Sequence, residues 1–175
     1  MNLVEEAKLG NNEAFEQLIE ENKLKMYKVA KSILRNEDDV CDAIQNALMS
    51  SYTNLNKLQN NQFFSTWLIR ILINKCYDIA NKNQRLYSNV TDIEDYNTND
   101  NLKSFDSYDS ESLVENVLSK IDEDLKTITV LYYYNDYSVG EISQILEIPE
   151  GTVKSRLSRA RSKIYEILKR EEEVI

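Results

Sequence analysis

The chain has 175 residues, with three glycines, one proline and a formal net charge of −9 at pH 7. This length allows one or two small domains, and the shortage of glycine and proline favours helices over tight turns. The chain has no histidine, its two cysteines lie far apart, and no segment approaches the roughly 18 apolar residues of a membrane span. We therefore expect a cytoplasmic protein with no metal, no cofactor and no direct membrane insertion.

Charge is distributed unevenly along the chain. Residues 1–86 hold 11 acids and 11 bases, and residues 87–112 hold 7 acids and 1 base. Residues 113–150 hold 8 acids and 2 bases, whereas residues 151–175 hold 4 acids and 7 bases. The acidic total therefore does not exclude a nucleic-acid partner for the C-terminal segment.

Two helices are predicted at the start of the chain. The first begins at Asn11 or Asn12 as its N-cap and runs to about Arg35. Its inward positions recur at helical spacing; they are Phe15, Leu18, Ile19, Met26, Val29, Ala30, Ile33 and Leu34. Asn36 is expected to cap the second helix, whose acidic first turn is favoured by the helix dipole.

An acidic ridge is predicted along the second helix. Asp39, Asp42 and Gln45 recur every third residue, and Asp38 precedes them. The buried stripe of the same helix is expected to consist of Val40, Ile44, Ala47 and Leu48. The ridge either serves only the helix terminus or binds a partner protein, and its local charge alone does not decide between the two.

The segment 54–63, NLNKLQNNQF, is rich in amides and lacks apolar periodicity, which predicts a loop. An amide side chain both donates and accepts hydrogen bonds, as the Watson–Crick edge of an extruded base requires. The candidates for such contacts are Gln59, Asn60, Asn61 and Gln62. An ordinary polar loop is the alternative.

A long amphipathic helix is predicted after this loop. Its apolar side comprises Phe64, Trp67, Leu68, Ile71, Leu72 and Ile79. Its polar side includes Arg70, Asn74, Lys75, Asp78, Lys82 and Arg85. We expect Trp67 to anchor the core.

Residues 87–111 have the composition of a flexible acidic linker, and a second helical domain is expected at 112–175. Ser112 and Glu115 can form a capping box at its start. The residues expected to pack beneath the last two helices are Leu113, Val117, Leu118, Ile121, Leu125, Ile128 and Leu131. Of the triplet Tyr132, Tyr133 and Tyr134, one or two are expected to face inward.

The stretch SVGEISQILEIPEGTVKSRLSRARSKI, residues 138–164, predicts a helix-turn-helix. Ser138 and Glu141 form a capping box, and Pro149 suits the first position of the second helix. That helix has an apolar stripe formed by Val153, Leu157, Ala160, Ile164 and Leu168. Between residues 151 and 170 it carries seven bases and one acid, as a helix entering a DNA major groove would. A solvated basic helix face is the alternative.

These motifs resemble bacterial sigma factors of the extracytoplasmic-function group. The helix-turn-helix with GTVKSRLSRAR is similar to their domain that binds the promoter −35 element. The spacing F-x-x-W-L-x-R-I-x-x-N-x-x-x-D from Phe64 to Asp78 resembles their −10 helix, and D-x-x-D-x-x-Q from Asp39 resembles their contact with the polymerase clamp helices. The chain departs from the family in a thinned basic cluster at residues 81–85 and in Cys41, which replaces an acid.

The resemblance implies an all-α fold with a region 2-like domain at 1–86, the acidic linker at 87–111 and a region 4-like helix-turn-helix domain at 112–175. It implies that Gln59, Asn60, Asn61, Gln62, Arg70, Asn74, Lys75, Lys82 and Arg85 bind −10 DNA. It implies that Thr152, Lys154, Ser155, Arg156, Ser158, Arg159, Arg161, Ser162 and Lys163 bind −35 DNA. Asp38, Asp39, Asp42 and Gln45 would bind polymerase.

The implied function is recruitment of RNA polymerase core to stress-responsive promoter DNA, under the control of a membrane-anchored anti-sigma factor. No catalytic residue and no small-molecule substrate are expected, because the chain lacks histidine and a phosphate-binding glycine loop. Two alternatives are a stand-alone helix-turn-helix regulator and a helical adaptor that binds only proteins. Sequence-specific duplex binding without polymerase would favour the regulator, and absence of transcription with core enzyme would favour the adaptor.

Overall fold

Helices form every regular element in residues 2–88 and 116–172, the part of the chain that the computed structural model describes. The α-helices are α1 (Leu3–Lys8), α2 (Asn12–Ile33), α3 (Glu37–Asn54), α4 (Phe64–Ser88), α5 (Glu123–Thr129), α6 (Val139–Leu146) and α7 (Glu150–Glu172). The predicted all-α fold class is confirmed. The linker and the predicted capping box of Ser112 and Glu115 fall outside the described residues. None of the described helices is long and apolar enough to cross a membrane.

Asparagine caps fix the first three helices. Asn11 accepts a hydrogen bond from the backbone N–H of Ala14 at 3.2 Å, and Asn36 accepts one from Asp38 at 2.9 Å, as the sequence predicts. The short helix α1 was not predicted. Asn2 and Glu5 form a capping box at its start, the same type of signal that marks α6.

Helix α4 lies at the centre of the molecule. Its predicted apolar positions Leu68 and Leu72 are fully buried, but so are Ile69 and Cys76, which widen the buried side beyond the predicted stripe. The buried side is this wide because α4 contacts α2 and α3 in the N-terminal half and α6 in the C-terminal half. The single apolar stripe predicted for α4 is therefore too narrow.

The C-terminal half is built on a short helical stack. The described residues predicted to lie beneath the last two helices are buried; these are Val117, Leu118, Ile121, Leu125, Ile128 and Leu131. The inward orientation predicted for the tyrosine triplet is wrong, since Tyr132, Tyr133 and Tyr134 are 37%, 47% and 39% exposed. They lie on a π-helical turn, Val130–Tyr134, whose wider spacing replaces the helical register assumed from the sequence. The aromatic residue that packs inward is Tyr137, which is buried.

The two halves pack directly against each other. Helix α2 contacts α5 and the π-helical turn, and α4 contacts α6, so that buried residues of both halves join one hydrophobic core. Two lysines of α2 lie over tyrosine rings of the C-terminal half, Lys25 at 5.1 Å from Tyr137 and Lys28 at 5.7 Å from Tyr134. This packing brings the DNA-binding candidates of the two halves close together.

Candidate nucleic-acid interface

A tight turn separates α6 from α7. The Ser138 hydroxyl accepts a hydrogen bond from the Glu141 backbone N–H at 3.2 Å, and the Glu141 carboxylate accepts one from the Ser138 N–H at 2.8 Å. These two bonds form the predicted capping box of α6. Helix α6 ends at Leu146, and its C-cap Glu147 adopts a left-handed conformation with φ 54° and ψ 40°. Glycine or asparagine usually occupies this position, because other side chains are strained there.

Hydrogen bonds connect the turn to both α6 and α7. The Ser143 hydroxyl donates to the carbonyl of Ile148 at 2.6 Å and so ties the turn to α6. Pro149 was predicted to be the first residue of α7 but lies one residue before it. The Pro149 carbonyl accepts hydrogen bonds from the N–H groups of Thr152 and Val153 at 2.8 and 3.1 Å. The orientation of α7 relative to α6 is thereby fixed, which confirms the predicted helix-turn-helix.

Helix α7 buries one side and displays the other. Val153, Leu157 and Ala160 are buried against the body, whereas Leu168, predicted to face inward, is 36% exposed. The apolar stripe is buried only along the first three turns of α7, and the helix continues beyond these contacts. Of the predicted −35 residues, Thr152 and Arg156 are half-buried, and the exposed ones are Lys154, Ser155, Ser158, Arg159, Arg161, Ser162 and Lys163. The exposed side of α7 therefore carries hydroxyl and cationic hydrogen-bond donors along its length.

Acidic side chains already engage part of this cationic surface. Lys163 donates to Asp122 at 2.6 Å, and Arg156 lies 3.2 Å from Asp124. The hydrogen bond from Lys163 holds the pKa of the Asp122 carboxyl below its ordinary value. Arg159 and Arg161 are exposed, and neither forms an ion pair with a side chain that the structure describes.

The amide loop is more structured than the sequence predicts. It contains two 3₁₀ turns, Leu55–Lys57 and Asn61–Phe63. The Asn60 side chain accepts from the Gln62 backbone at 3.0 Å, and the Asn61 side chain accepts from Lys8 at 2.6 Å. Gln59 and Gln62 are exposed. Of the four candidates, these two glutamines are better placed than the asparagines to meet an extruded base.

The polar side of α4 follows this loop. Arg70, Asn74, Lys82 and Arg85 are exposed, and Lys75 is half-buried. Arg70 forms an ion pair with Glu147, the left-handed residue of the helix-turn-helix. The contact joins the candidate −10 surface to the start of the candidate −35 helix.

The acidic ridge lies on α3. Asp38, Asp42 and Gln45 are exposed, while Asp39 is half-buried and accepts a hydrogen bond from the Asn83 amide of α4 at 2.9 Å. Cys41 on the same helix is exposed. The structure thus leaves three of the four predicted polymerase-binding side chains accessible and gives Asp39 a packing role.

Comparison with known proteins gives one family match in each half of the chain. The sigma-70 region 2 model matches residues 18–86, and the sigma-70 region 4 model matches residues 112–164. The ECF RNA polymerase sigma-E factor of Escherichia coli strain K12 is 31% identical over 175 residues, covering 93% of this chain and 90% of that protein. The chain belongs to the ECF sigma factor family.

Solved structures share the fold of this sigma factor. The structure of CnrH in complex with the cytosolic domain of CnrY has a TM-score of 0.72 at 25% identity and covers 95% of each chain. The sigma factor RpoE of Bartonella quintana, in complex with the anti-sigma factor NepR, has a TM-score of 0.74 at 23% identity, covering 89% of this chain and 96% of that one. The predicted function in transcription initiation is confirmed, and neither the stand-alone regulator nor the adaptor is favoured.

Several residues of this sigma factor that shape the candidate surfaces were not predicted. Asp122 and Asp124 engage the α7 cations, Glu147 engages Arg70, and Tyr137 joins α4. No local motif marks these residues, because their partners lie far away along the chain or depend on how the two halves pack. The only sequence signal is weak: the acids Asp122 and Asp124 lie at the start of α5, and the later helix α7 is basic.

Proposed function

We propose that this sigma factor binds −35 duplex DNA through the exposed side of α7 and −10 DNA through α4 and the preceding amide loop. The observation that supports this most directly is the exposure of the α7 donors on a helix held by a capped helix-turn-helix. Lys154, Ser155, Ser158 and Arg159 are proposed to contact base edges, and Arg156, Arg161 and Lys163 to contact phosphates. Gln59 and Gln62 are the preferred contacts for an extruded −10 base.

Simultaneous binding of both elements would require the two halves to separate. The −10 and −35 elements lie roughly 25 base pairs apart, which is about 85 Å along a duplex at 3.4 Å per pair. The packing of the two halves into one hydrophobic core instead places the two candidate surfaces side by side, with Arg70 and Glu147 paired between them. Residues 89–115 would reach about 90 Å if fully extended, at 3.3–3.6 Å per residue, so chain length permits the separation. We propose that the packed arrangement is the unbound form.

Core polymerase is the proposed partner of the acidic ridge. Asp42→Lys should abolish association with core enzyme in a pull-down assay, because it reverses an exposed charge at the centre of the ridge. Glu16→Lys, which makes the same change at an exposed position of α2, is the matched control and should bind normally. Equal binding by the wild type and Asp42→Lys would remove the ridge from the proposal.

A membrane-anchored anti-sigma factor is the proposed inhibitor, and the cytoplasm is the proposed location. CnrH, which shares the fold and 25% identity, is bound to the cytosolic domain of its partner. The sigma factor itself is proposed to be non-enzymatic, with polymerase supplying the chemistry. Crosslinking in unstressed cells should recover the sigma factor with a membrane protein. Recovery of the sigma factor with polymerase alone would contradict the proposal of a membrane-anchored inhibitor.

Run-off transcription on fragmented genomic DNA tests the central proposal. Core polymerase with the purified sigma factor should produce discrete transcripts that core alone does not produce, whose upstream sequences share two spaced elements. A truncated chain ending at residue 137 lacks the helix-turn-helix and serves as a control for −35 dependence. Transcripts that lack any shared upstream element would overturn the assignment of α7 to promoter binding.

A further inference from the structure

Three consecutive acids lie at a fixed position beside α7, the helix proposed to bind −35 DNA. Asp122, Glu123 and Asp124 are exposed, but the residues on either side, Ile121 and Leu125, are buried in the core. The acidic turn, defined here as residues 122–124, is therefore held in place by its apolar neighbours. The carboxylates of Asp122 and Asp124 face one edge of α7.

That edge carries two of the proposed phosphate contacts. Arg156 and Lys163 are seven residues apart, close to two helical turns, so they project from the same edge of α7. Asp124 pairs with Arg156 and Asp122 with Lys163. The groove between the turn and the helix is also lined by Ser158, Arg159 and Ser162, three of the proposed −35 contacts.

These ion pairs are poorly suited to a purely structural role. The side chains of Asp122 and Asp124 are 66% and 61% exposed, and exposed ion pairs contribute little to stability. Helices α5 and α7 already pack against each other, and their buried side chains, among them Ile128, Val153 and Leu157, belong to one hydrophobic core. The main physical effect of the acidic turn therefore falls on the electrostatics of the α7 edge.

We propose that the acidic turn is an intramolecular competitor of the DNA backbone, which occupies Arg156 and Lys163 and thereby weakens binding of duplex DNA by the sigma factor. The inference rests on the proposed role of α7 in binding DNA. A phosphate can use either cation fully only after its aspartate is displaced, and the remaining carboxylates repel phosphates within a Debye length of about 10 Å. The consequence is a sigma factor that binds DNA poorly by itself and depends on polymerase for promoter engagement.

The proposal predicts a change in salt dependence. Every additional phosphate that the protein neutralises releases counterions and steepens the slope of log K against log salt by about 0.9, which corresponds to about tenfold in affinity per phosphate at 0.1 M salt. In the full-length chain, Asp122→Asn with Asp124→Asn should bind a labelled 25-base-pair duplex of arbitrary sequence at least tenfold more tightly than wild type. Its salt slope should be steeper by between one and two.

The matched control removes two exposed acids elsewhere. Glu16→Gln with Glu20→Gln makes the same change in net charge on α2 and also frees a lysine, since Glu20 pairs with Lys23. Affinity should change less than twofold in this control. If the two double variants behave alike, or if the acidic-turn variant shows no measurable duplex binding, the proposal is wrong.

A double-mutant cycle identifies the mechanism. The increase in affinity caused by Asp122→Asn should disappear in a Lys163→Ala background, because the freed ammonium group would be absent. Asp122→Ser also removes the charge and places another residue favoured at helix N-caps in this position, so it should reproduce the tighter binding if Asp122→Asn folds poorly. If run-off transcription failed but the acidic-turn variant still bound duplex DNA more tightly, the proposed function would be rejected. Competition between the acidic turn and DNA phosphates would still be demonstrated, so the two outcomes are separable.

Discussion

The hydroxyl of Tyr137 lies 2.7 Å from the Oγ of Ser65, and this contact joins residues 72 positions apart in the two halves of the chain. Ser65 in turn donates to the Asn22 side-chain oxygen at 2.7 Å, and the Asn22 amide donates to the Leu18 carbonyl at 2.8 Å. Because the single Ser65 proton is directed to Asn22, Tyr137 is the donor to Ser65. A directional chain of hydrogen bonds therefore runs from the helix-turn-helix half into α2.

Tyr137→Phe should destabilise the packed arrangement. The substitution keeps the buried ring and removes one end of the hydrogen-bonded chain, and such a loss costs about 1 kcal/mol. Urea denaturation monitored by circular dichroism should show a lower midpoint with an unchanged slope. Tyr165→Phe removes a hydroxyl from an exposed ring and should leave the midpoint unchanged. Equal midpoints for Tyr137→Phe and wild type would show that the contact carries no net stability.

Glu147→Asn should leave the two halves packed and the helix-turn-helix intact. Asparagine tolerates the left-handed conformation better than glutamate, so the turn itself should be retained, while the exposed ion pair with Arg70 is lost. Because such a pair contributes at most about 1 kcal/mol and buried residues of both halves share one core, we expect small-angle scattering to give an unchanged radius of gyration, near the value of about 16 Å for a compact chain of this length.

A charge swap provides the control for that measurement. Arg70→Glu combined with Glu147→Arg restores an ion pair of opposite polarity, and should also keep the wild-type radius of gyration. A larger radius in Glu147→Asn that the charge swap reverses would show that the ion pair, and not the buried contacts between α4 and α6, holds the halves together.

The sequence predicts individual helices well because the signals that define them are local. Asn11, Asn36 and the pair of Ser138 and Glu141 each cap the helix that begins after them, as expected. The full width of the buried side of α4, which includes Ile69 and Cys76, could not be predicted in this way. It follows from contacts between distant parts of the chain, and the local sequence does not show which partner a hydrophobic residue packs against.

The candidate DNA surfaces show the same limit. The exposed side of α7 follows directly from helical periodicity, since Val153, Leu157 and Ala160 define the buried side. The ion pairs of Arg156 and Lys163 do not, because they depend on how α5 packs beside α7. Sequence patterns therefore identified which cations face outward but not which of them already have acidic partners.

Arg159→Ala should alter promoter choice, whereas Lys163→Ala should weaken binding evenly across sequences. Arg159 is exposed on the middle of the proposed recognition surface, and a bidentate arginine contact to guanine contributes about 1–3 kcal/mol of discrimination. Transcription from a library randomised across the −35 element measures both effects. The assignment of Arg159 would be rejected if this variant kept the wild-type preference at every −35 position.

The two cysteines should differ strongly in reactivity. Cys41 is exposed, whereas burial raises the pKa of the Cys76 thiol to about 12. A thiol reagent should therefore label one cysteine per native chain at pH 8 and both in urea, with mass spectrometry locating the first label on Cys41. Cys41→Ser should abolish native labelling. Rapid labelling of Cys76 in that variant would mean that α4 is released from its neighbours far more often than its burial implies.

Alkaline pH should weaken the packing around Tyr137. Burial raises the pKa of this phenol above its ordinary value. The charged carboxylate of Glu141 also raises it. A group whose pKa is higher in the folded state contributes stability that is complete below its unfolded pKa of about 10 and is lost as the pH rises through the folded value.

The urea midpoint of the wild type should therefore fall above pH 10, and Tyr137→Phe should lose part of this dependence. Burial raises the pKa of Tyr77 as well, so Tyr77→Phe must be measured in parallel, and the double variant should show the flattest alkaline profile. Tyrosinate absorbance reports the ionisation directly. If Tyr137→Phe retained the full wild-type loss of stability, Tyr137 would have to be solvated in the native state, and its place between the two halves would need revision.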